Sequence, residues 1–265
     1  MFHLAPHRRS FLGLAGSALL AACAPRTPSD VFTQTSPDGT TESFTPVEGY
    51  EVLQDGAYTL PAVPPRYLEW PNRRQLVFYE GSAAPGEIEI DPAAKFLYYV
   101  LDDGTAWRYP IAVGRAGLSL KSTTVVRQKK EWPGWQPTAN MLRSQPEVYG
   151  PFARGVPGGL ASPLGARALY LYRGGRDTYY RIHGTNDLAS IGNSGSAGCI
   201  RLFNHDIIDL YNRVTIPTTV KIRSAEESLR LVGPQFSPRG VELPPKIISP
   251  ESIYGATDVL PDAGT

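Results

Sequence analysis

Residues 178–214 read "TYYRIHGTNDLASIGNSGSAGCIRLFNHDIIDLYNRV", and the stretch changes character twice. It opens on an aromatic and β-branched run, "TYYRIH" (178–183), whose composition predicts a strand. A loop rich in Gly, Ser and Asn follows and runs up to Cys199. Beyond the cysteine, "HDIIDLYNRV" (205–214) brings Ile207, Ile208, Tyr211 and Val214 onto one face at helical spacing, with Asn204 as the expected N-cap.

Outward from this stretch, short β-type runs recur: "QLVFY" (75–79), "EIEI" (87–90), "KFLYYVL" (95–101), "AWRYPIAV" (106–113), "ALYLYR" (168–173) and "TTVKI" (218–222). Turn signals such as Asp102-Asp103-Gly104 and Gly174-Gly175 separate them. A second short helix is expected over 138–145, with Thr138 as its N-cap. The expected fold is therefore mainly β: a closed β-barrel or sandwich with one helix packed on it after Cys199. The interval 127–164 interrupts the pattern. It is long, rich in Pro and Gly, and holds Trp132, Trp135, Tyr149 and Phe152. A loop of that length in a compact domain is usually functional, and it is read as a lid over the site.

The termini differ in kind. "MFHLAPHRRSFLGLAGSALLAAC" has paired Arg8 and Arg9 before an apolar run from Phe11 to Ala22 that is too short to span a bilayer. It reads as a signal peptide over 1–22, with Cys23 at the end of "LAAC" as the expected lipidation site. Residues 23–65 read as a lipid-anchored tether with a short ordered stretch near "YEVLQDGAYTL", residues 66–86 as an N-terminal extension, 87–223 as the catalytic domain and 224–265 as a Pro-rich tail. The protein is thus expected in the periplasm or cell envelope, held by lipid to the outer membrane rather than the inner, since Ala24 follows Cys23 where an inner-membrane retention signal has Asp. Charge is balanced, with 26 Lys plus Arg against 25 Asp plus Glu, and no basic stripe interleaves with aromatics, so nucleic acid is not an expected partner.

The cysteine and histidine counts concentrate the chemistry. With Cys23 at the anchor, Cys199 is the single thiol of the folded part and has no disulfide partner, so a nucleophile and a buried core cysteine are the two readings. His3 and His7 leave with the signal, and a nucleophilic thiol needs a nearby base. His183 ends a strand run and is followed by Gly184, which suits facing ends of neighbouring strands joined by the loop up to Cys199. His205 reads as a surface residue in the first helical turn, where a cation opposes the helix dipole. A catalytic Cys199 paired with His183 is expected to be partly thiolate near neutral pH. Gly195, Ser196, Ala197 and Gly198 permit a sharp turn, with backbone N–H groups free to meet an oxyanion. A zinc site drawn from His183, Cys199, His205 and Asp209 lacks paired thiols and short-range ligand spacing, so neither metal nor cofactor is expected.

"IHGTN" (182–186) followed by "SAGCIRLFNHDIIDLY" (196–211) resembles the H-G…S-x-G-C-[IV]-R signature of the L,D-transpeptidase (YkuD, ErfK/YbiS-type) family. "GEIEIDPAAKFLYYVLDDGTAWRYPIAVG" resembles that family's opening strands and "SPLGARALYL" its T-P-x-G segment, with Ser162 in place of Thr. Ala197 stands where many members carry His or another polar residue. The resemblance implies an enzyme acting on peptidoglycan stem tetrapeptides through a thioester on Cys199, with His183 as proton acceptor and donor and the Gly184 carbonyl orienting it. Gly198 and Cys199 N–H groups would form the oxyanion hole, while Arg201, Ser196 and Thr185 would bind substrate or support the loop. The products would be 3→3 cross-links or an acceptor protein attached to peptidoglycan. The alternatives are an L,D-carboxypeptidase that uses water, and a non-catalytic peptidoglycan-binding lipoprotein.

Overall fold

The computed structural model describes residues 32–35, 41–114, 123–195 and 199–248. The expected signal peptide, Cys23 and the residues Ser196, Ala197 and Gly198 lie outside the described residues. In chain order the strands are β1 (Phe32–Thr35), β2 (Thr41–Phe44), β3 (Leu53–Asp55), β4 (Tyr58–Leu60), β5 (Gln75–Phe78), β6 (Ile88–Asp91), β7 (Phe96–Val100), β8 (Thr105–Pro110), β9 (Ala112–Val113), β10 (Thr124–Glu131), β11 (Arg167–Arg173), β12 (Arg176–Thr185), β13 (Ile200–Phe203) and β14 (Thr218–Ile222). The α-helices are α1 (Ala139–Ser144), α2 (Pro146–Tyr149), α3 (Asn204–Arg213) and α4 (Ala225–Val232).

Ten strands form one sheet in the order β5-β8-β7-β6-β14-β10-β11-β12-β13-β9, and two two-stranded pairs, β1-β2 and β3-β4, stand apart from it. The sheet has β5 and β9 at its two edges, so the expected closed barrel is replaced by an open, mixed sheet. Most neighbours are antiparallel, but β12 pairs with β13 and β14 with β6 in parallel. The first parallel pair needs a crossover, and the loop 186–199 supplies it.

Alternation along the strands builds the core. Ile88 and Ile90 of β6, Leu97 of β7, Val126 of β10, Leu169 and Leu171 of β11, Ile182 of β12, Ile200 and Leu202 of β13 and Val220 of β14 form one buried cluster. Ile207 and Leu210 of α3, with Val214, complete it. Of the helix's expected face, Ile207 and Val214 pack on the sheet with Tyr211 partly buried beside them, Leu210 joins them, and Ile208 turns instead to a neighbouring cluster around Leu60, Leu160 and Ala166. Its cap differs from expectation. Phe203 occupies the N-cap position without a side-chain bond, and Asn204 is the first helical residue, its Oδ1 accepting from the Ala166 N–H at 2.9 Å. Thr138 does cap α1, its Oγ1 accepting from Met141 N–H at 3.2 Å.

Two segments are more structured than composition suggested. Tyr50, Leu60, Ala62 and Val63 are buried, so the part of the expected tether from Tyr50 onward packs against the sheet domain. In the expected tail, Ser224 and Glu227 form a reciprocal capping box at the start of α4, and Val232 and Phe236 pack on Phe96 and Tyr98. "SAEE" (224–227) carries the S-x-x-E signal for this helix in the sequence itself. No helix among the described residues is long and apolar enough to cross a membrane.

Candidate active site

The parallel register of β12 and β13 decides which side chains meet. Ile182 lies opposite Ile200 and His183 opposite Arg201. Both isoleucines enter the core, so their neighbours emerge on the other face. Arg181 and His183 on β12, and Cys199 and Arg201 at the start of β13, therefore share one side of the sheet, where all four line a cavity of about 440 Å³. Gly134, Trp135, Met141, Tyr149 and Leu164 supply the facing wall.

His183 is buried, and its Nδ1 donates to the Gly184 carbonyl at 2.6 Å. That bond assigns the proton to Nδ1 and leaves Nε2 as an acceptor. Gly184 has a steric reason to be glycine: a Cβ there would stand 2.1 Å from Asn204 Oδ1 and 3.1 Å from Ala166 N. Asn204 thus binds β11 to the helix start through Ala166 and closes tightly over the backbone that holds the imidazole. Its Nδ2 donates to Asn186 Oδ1 at 3.4 Å, and Asn186 Nδ2 donates to the Leu160 carbonyl at 2.6 Å.

Burial and then the Arg201 guanidinium push His183 down to about 3, so the imidazole is neutral across the physiological range. Burial likewise pushes the Cys199 thiol up, against the opposing pull of the Arg181 backbone N–H and the Arg181 and Arg201 charges. The free site therefore holds a neutral thiol and a neutral imidazole on the lining of one cavity. The partly ionised thiolate expected from the pairing alone is not favoured, because desolvation outweighs the nearby cations.

The other expected site residues separate by role. Arg201 lines the cavity and meets Asp187 Oδ2 at 3.6 Å. Thr185 is buried at the end of β12, and its Oγ1 accepts from Asp187 N–H at 3.0 Å, so it shapes the loop rather than facing the cavity. His205 is not at the surface. It is buried, and its Nε2 bonds the Glu51 carbonyl at 2.7 Å, because the segment around Tyr50 covers the start of α3. Asp209 bonds Tyr109 and Arg213 instead of any group in the cavity. Of the interval 127–164, residues 127–131 continue β10, and only the part beyond reaches the site, through Trp135, Met141, Tyr149 and Leu164. Ser162 is buried and ties this part down, its Oγ donating to the Pro133 carbonyl at 2.6 Å.

Sequence reading assigns no role to Arg181, Asp187 or Tyr170, and marks Asn204 only as a cap. Arg181 stacks over the Tyr170 ring at 4.1 Å and holds Asp177 through two bonds of 2.7 and 2.8 Å. Period-two alternation back from His183 was the available signal for Arg181. Nothing local marks Asn204 as a clasp, since its partners lie 18 and 38 residues away.

Residues 85–222 match the YkuD family, described as the L,D-transpeptidase catalytic domain. The probable L,D-transpeptidase ErfK/SrfK of Escherichia coli K12 is 38% identical over 130 residues, covering 48% of this chain and 40% of that protein. The probable L,D-transpeptidase YbiS of the same strain is 31% identical over 169 residues, covering 63% of this chain and 53% of that protein. The chain thus spans about half the length of these curated relatives, or less. A solved Brucella melitensis structure, titled a probable carnitine operon oxidoreductase, is 47% identical with a TM-score of 0.41, covering 57% of this chain and 94% of that one.

Proposed function

Because the chain belongs to the L,D-transpeptidase catalytic-domain family through residues 85–222, we propose that it acylates Cys199 with peptidoglycan stem tetrapeptides and passes the acyl group to an amine. The observation that carries this reading is the convergence of Cys199 and a Gly184-anchored His183 on one cavity, from adjacent parallel strands. In the first step His183 Nε2 takes the Cys199 thiol proton as the sulfur bonds to the carbonyl carbon of the stem's third residue. The imidazolium then gives that proton to the nitrogen of the departing D-Ala as the C–N bond breaks. In the second step the acceptor amine attacks the thioester, loses its proton to His183 and releases the thiol. Starting from a neutral pair, proton transfer accompanies attack instead of preceding it, and no charge is stored on the thiol or the imidazole beforehand.

Gly198 and Cys199 N–H groups are assigned the oxyanion, whose loss typically costs about 3 kcal/mol of transition-state stabilisation. Arg201 is assigned to substrate binding, and Thr185 and Ser196 to loop support. The wall formed by Trp135, Met141 and Tyr149 is assigned the covering role expected of a lid. The acceptor is a stem amine or an envelope protein. Cys23 is assigned a lipid anchor, which would hold the enzyme in the periplasm at the outer membrane. Neither metal nor cofactor is required by this chemistry.

Incubation with purified disaccharide-tetrapeptide, followed by intact-protein and product mass measurement, tests the reading. A donor adduct on Cys199 with loss of D-Ala, followed by a cross-linked product, is expected. Tripeptide alone identifies a carboxypeptidase. Absence of any adduct or product on the folded protein, while the donor still binds, would leave a binding lipoprotein.

A further inference from the structure

We propose that the segment 241–248, which lies beyond the matched family domain, is a wall of the active site, and that Lys246 positions a free carboxylate of the donor peptide there. This rests on the donor being a stem peptide, as argued above. The segment is tied to the loop that leads to Cys199. Ser194 N–H donates to the Val241 carbonyl at 2.9 Å, Leu243 N–H donates back to the Ser194 carbonyl at 2.7 Å, and Val241 N–H donates to Asn193 Oδ1 at 3.0 Å. Together these make a short parallel bridge between Ser194 and Glu242. Gly195 answers to it sterically: at φ +127° it admits no ordinary side chain, and a Cβ would stand 2.2 Å from the Leu243 carbonyl oxygen.

Three residues further on, the chain reaches the site itself. Ile247 lines the same cavity as His183 and Cys199. Lys246 Nζ lies 3.3 Å from Asp187 Oδ1, whose other oxygen is 3.6 Å from Arg201. Asp187 is thus shared between two cations, each at long single-contact range. Arg167, by contrast, is matched by Asp55 through two bonds of 2.7 Å, and Arg181 by Asp177 through two bonds of 2.7 and 2.8 Å. One carboxylate cannot neutralise two cations, so Arg201, Lys246 and Asp187 together carry an excess positive charge beside the cavity, with Glu242 the other carboxylate of this segment. Lys246 keeps nearly half its side chain exposed, so its ammonium can turn from Asp187 toward an incoming anion. The ligand chemistry that fits is a peptide bearing a free carboxylate close to the scissile bond.

The test measures affinity, so it does not depend on turnover. In the full chain carrying Cys199→Ala, binding of the disaccharide-tetrapeptide is compared with binding of the same compound after amidation of its carboxyl groups. Lys246→Gln should weaken binding of the free acid about fivefold to tenfold and leave the amidated compound unchanged, while Lys246→Arg should restore most of the loss. Equal weakening of both compounds would mean that Lys246 only supports the loop, and no weakening of either would mean that the segment does not meet the donor; each overturns the proposal. If the donor binds with this charge dependence but the wild-type protein never acylates, the proposed activity falls and the carboxylate site stands. If neither compound binds, both fall.

Discussion

Adding one methyl group at Gly184 should uncouple the catalytic imidazole from its support. In Gly184→Ala the new Cβ would stand 2.1 Å from Asn204 Oδ1, against an ordinary carbon–oxygen contact of about 3.3 Å. Backbone hems the position on another side, with Ala166 N at 3.1 Å, so the carboxamide of Asn204 must yield by about 1 Å. That movement breaks its 2.9 Å bond from Ala166 N–H and leaves a buried donor unsatisfied, a cost of about 1–3 kcal/mol. Overpacking against Ile207 Cγ2, also at 3.1 Å, adds about 1–2 kcal/mol. The sum, roughly 2–5 kcal/mol, corresponds to a fall in Tm of about 5–15 °C for a domain of this size. Because the Gly184 carbonyl accepts the His183 Nδ1–H bond, acylation should slow by more than the unfolded fraction explains. Thermal unfolding by circular dichroism and timed acylation by a carbapenem, which should attack through the same thioester chemistry, measure both effects. Asn204→Ala also orphans the Ala166 N–H, so the double variant should be at least about 1 kcal/mol less destabilised than the two single losses added together. Strict additivity, or a Tm of Gly184→Ala unchanged within about 1 °C, would refute the steric reasoning.

Four further outcomes are expected. Since His183 is pushed down to about 3 and Cys199 upward, the rate of Cys199 acylation should stay level as pH falls from 8 to 5; a sigmoid loss centred between pH 5.5 and 7 would show an imidazole of ordinary basicity. The same depression makes the unfolded chain the stronger proton binder between its own value near 6.5 and the folded value near 3, so His183's contribution to stability is complete above 6.5 and declines as pH falls through that window; denaturant midpoints of wild type and His183→Gln should therefore converge on acidification. His183→Ala should slow acylation by several orders of magnitude, whereas His205→Ala should cost about 1–3 kcal/mol of stability by orphaning the Glu51 carbonyl and leave the rate per folded molecule within a few-fold; a dead but stable His205→Ala would contradict the site. Cys23→Ala should shift the protein from the membrane fraction to the soluble periplasm, and unchanged fractionation would remove the lipid anchor.

Local sequence was enough for the features whose physics is local. Strand runs such as "ALYLYR" and "TTVKI" carry their own alternation and β-branched composition, and both became strands. The face of α3 was legible because helical spacing alone determines which residues share a stripe. Cys199 and His183 stood out because so few thiols and imidazoles were available, and the glycine after His183 hinted at a tight backbone. What escaped depended on residues far apart in the chain. An open sheet and a closed barrel have the same strand composition and differ only in whether the edge strands pair, here β5 and β9, which no local pattern reports. His205 looked solvent-exposed because its cover comes from Glu51, 154 residues away, inside a stretch whose composition resembled a tether. Asn204 looked like a cap, yet its oxygen was already committed to Ala166. The ionisation of the site was likewise a tertiary matter. Pairing a thiol with a histidine suggests a thiolate, but burial in the folded chain pushes the thiol up and the imidazole down, so both groups rest neutral.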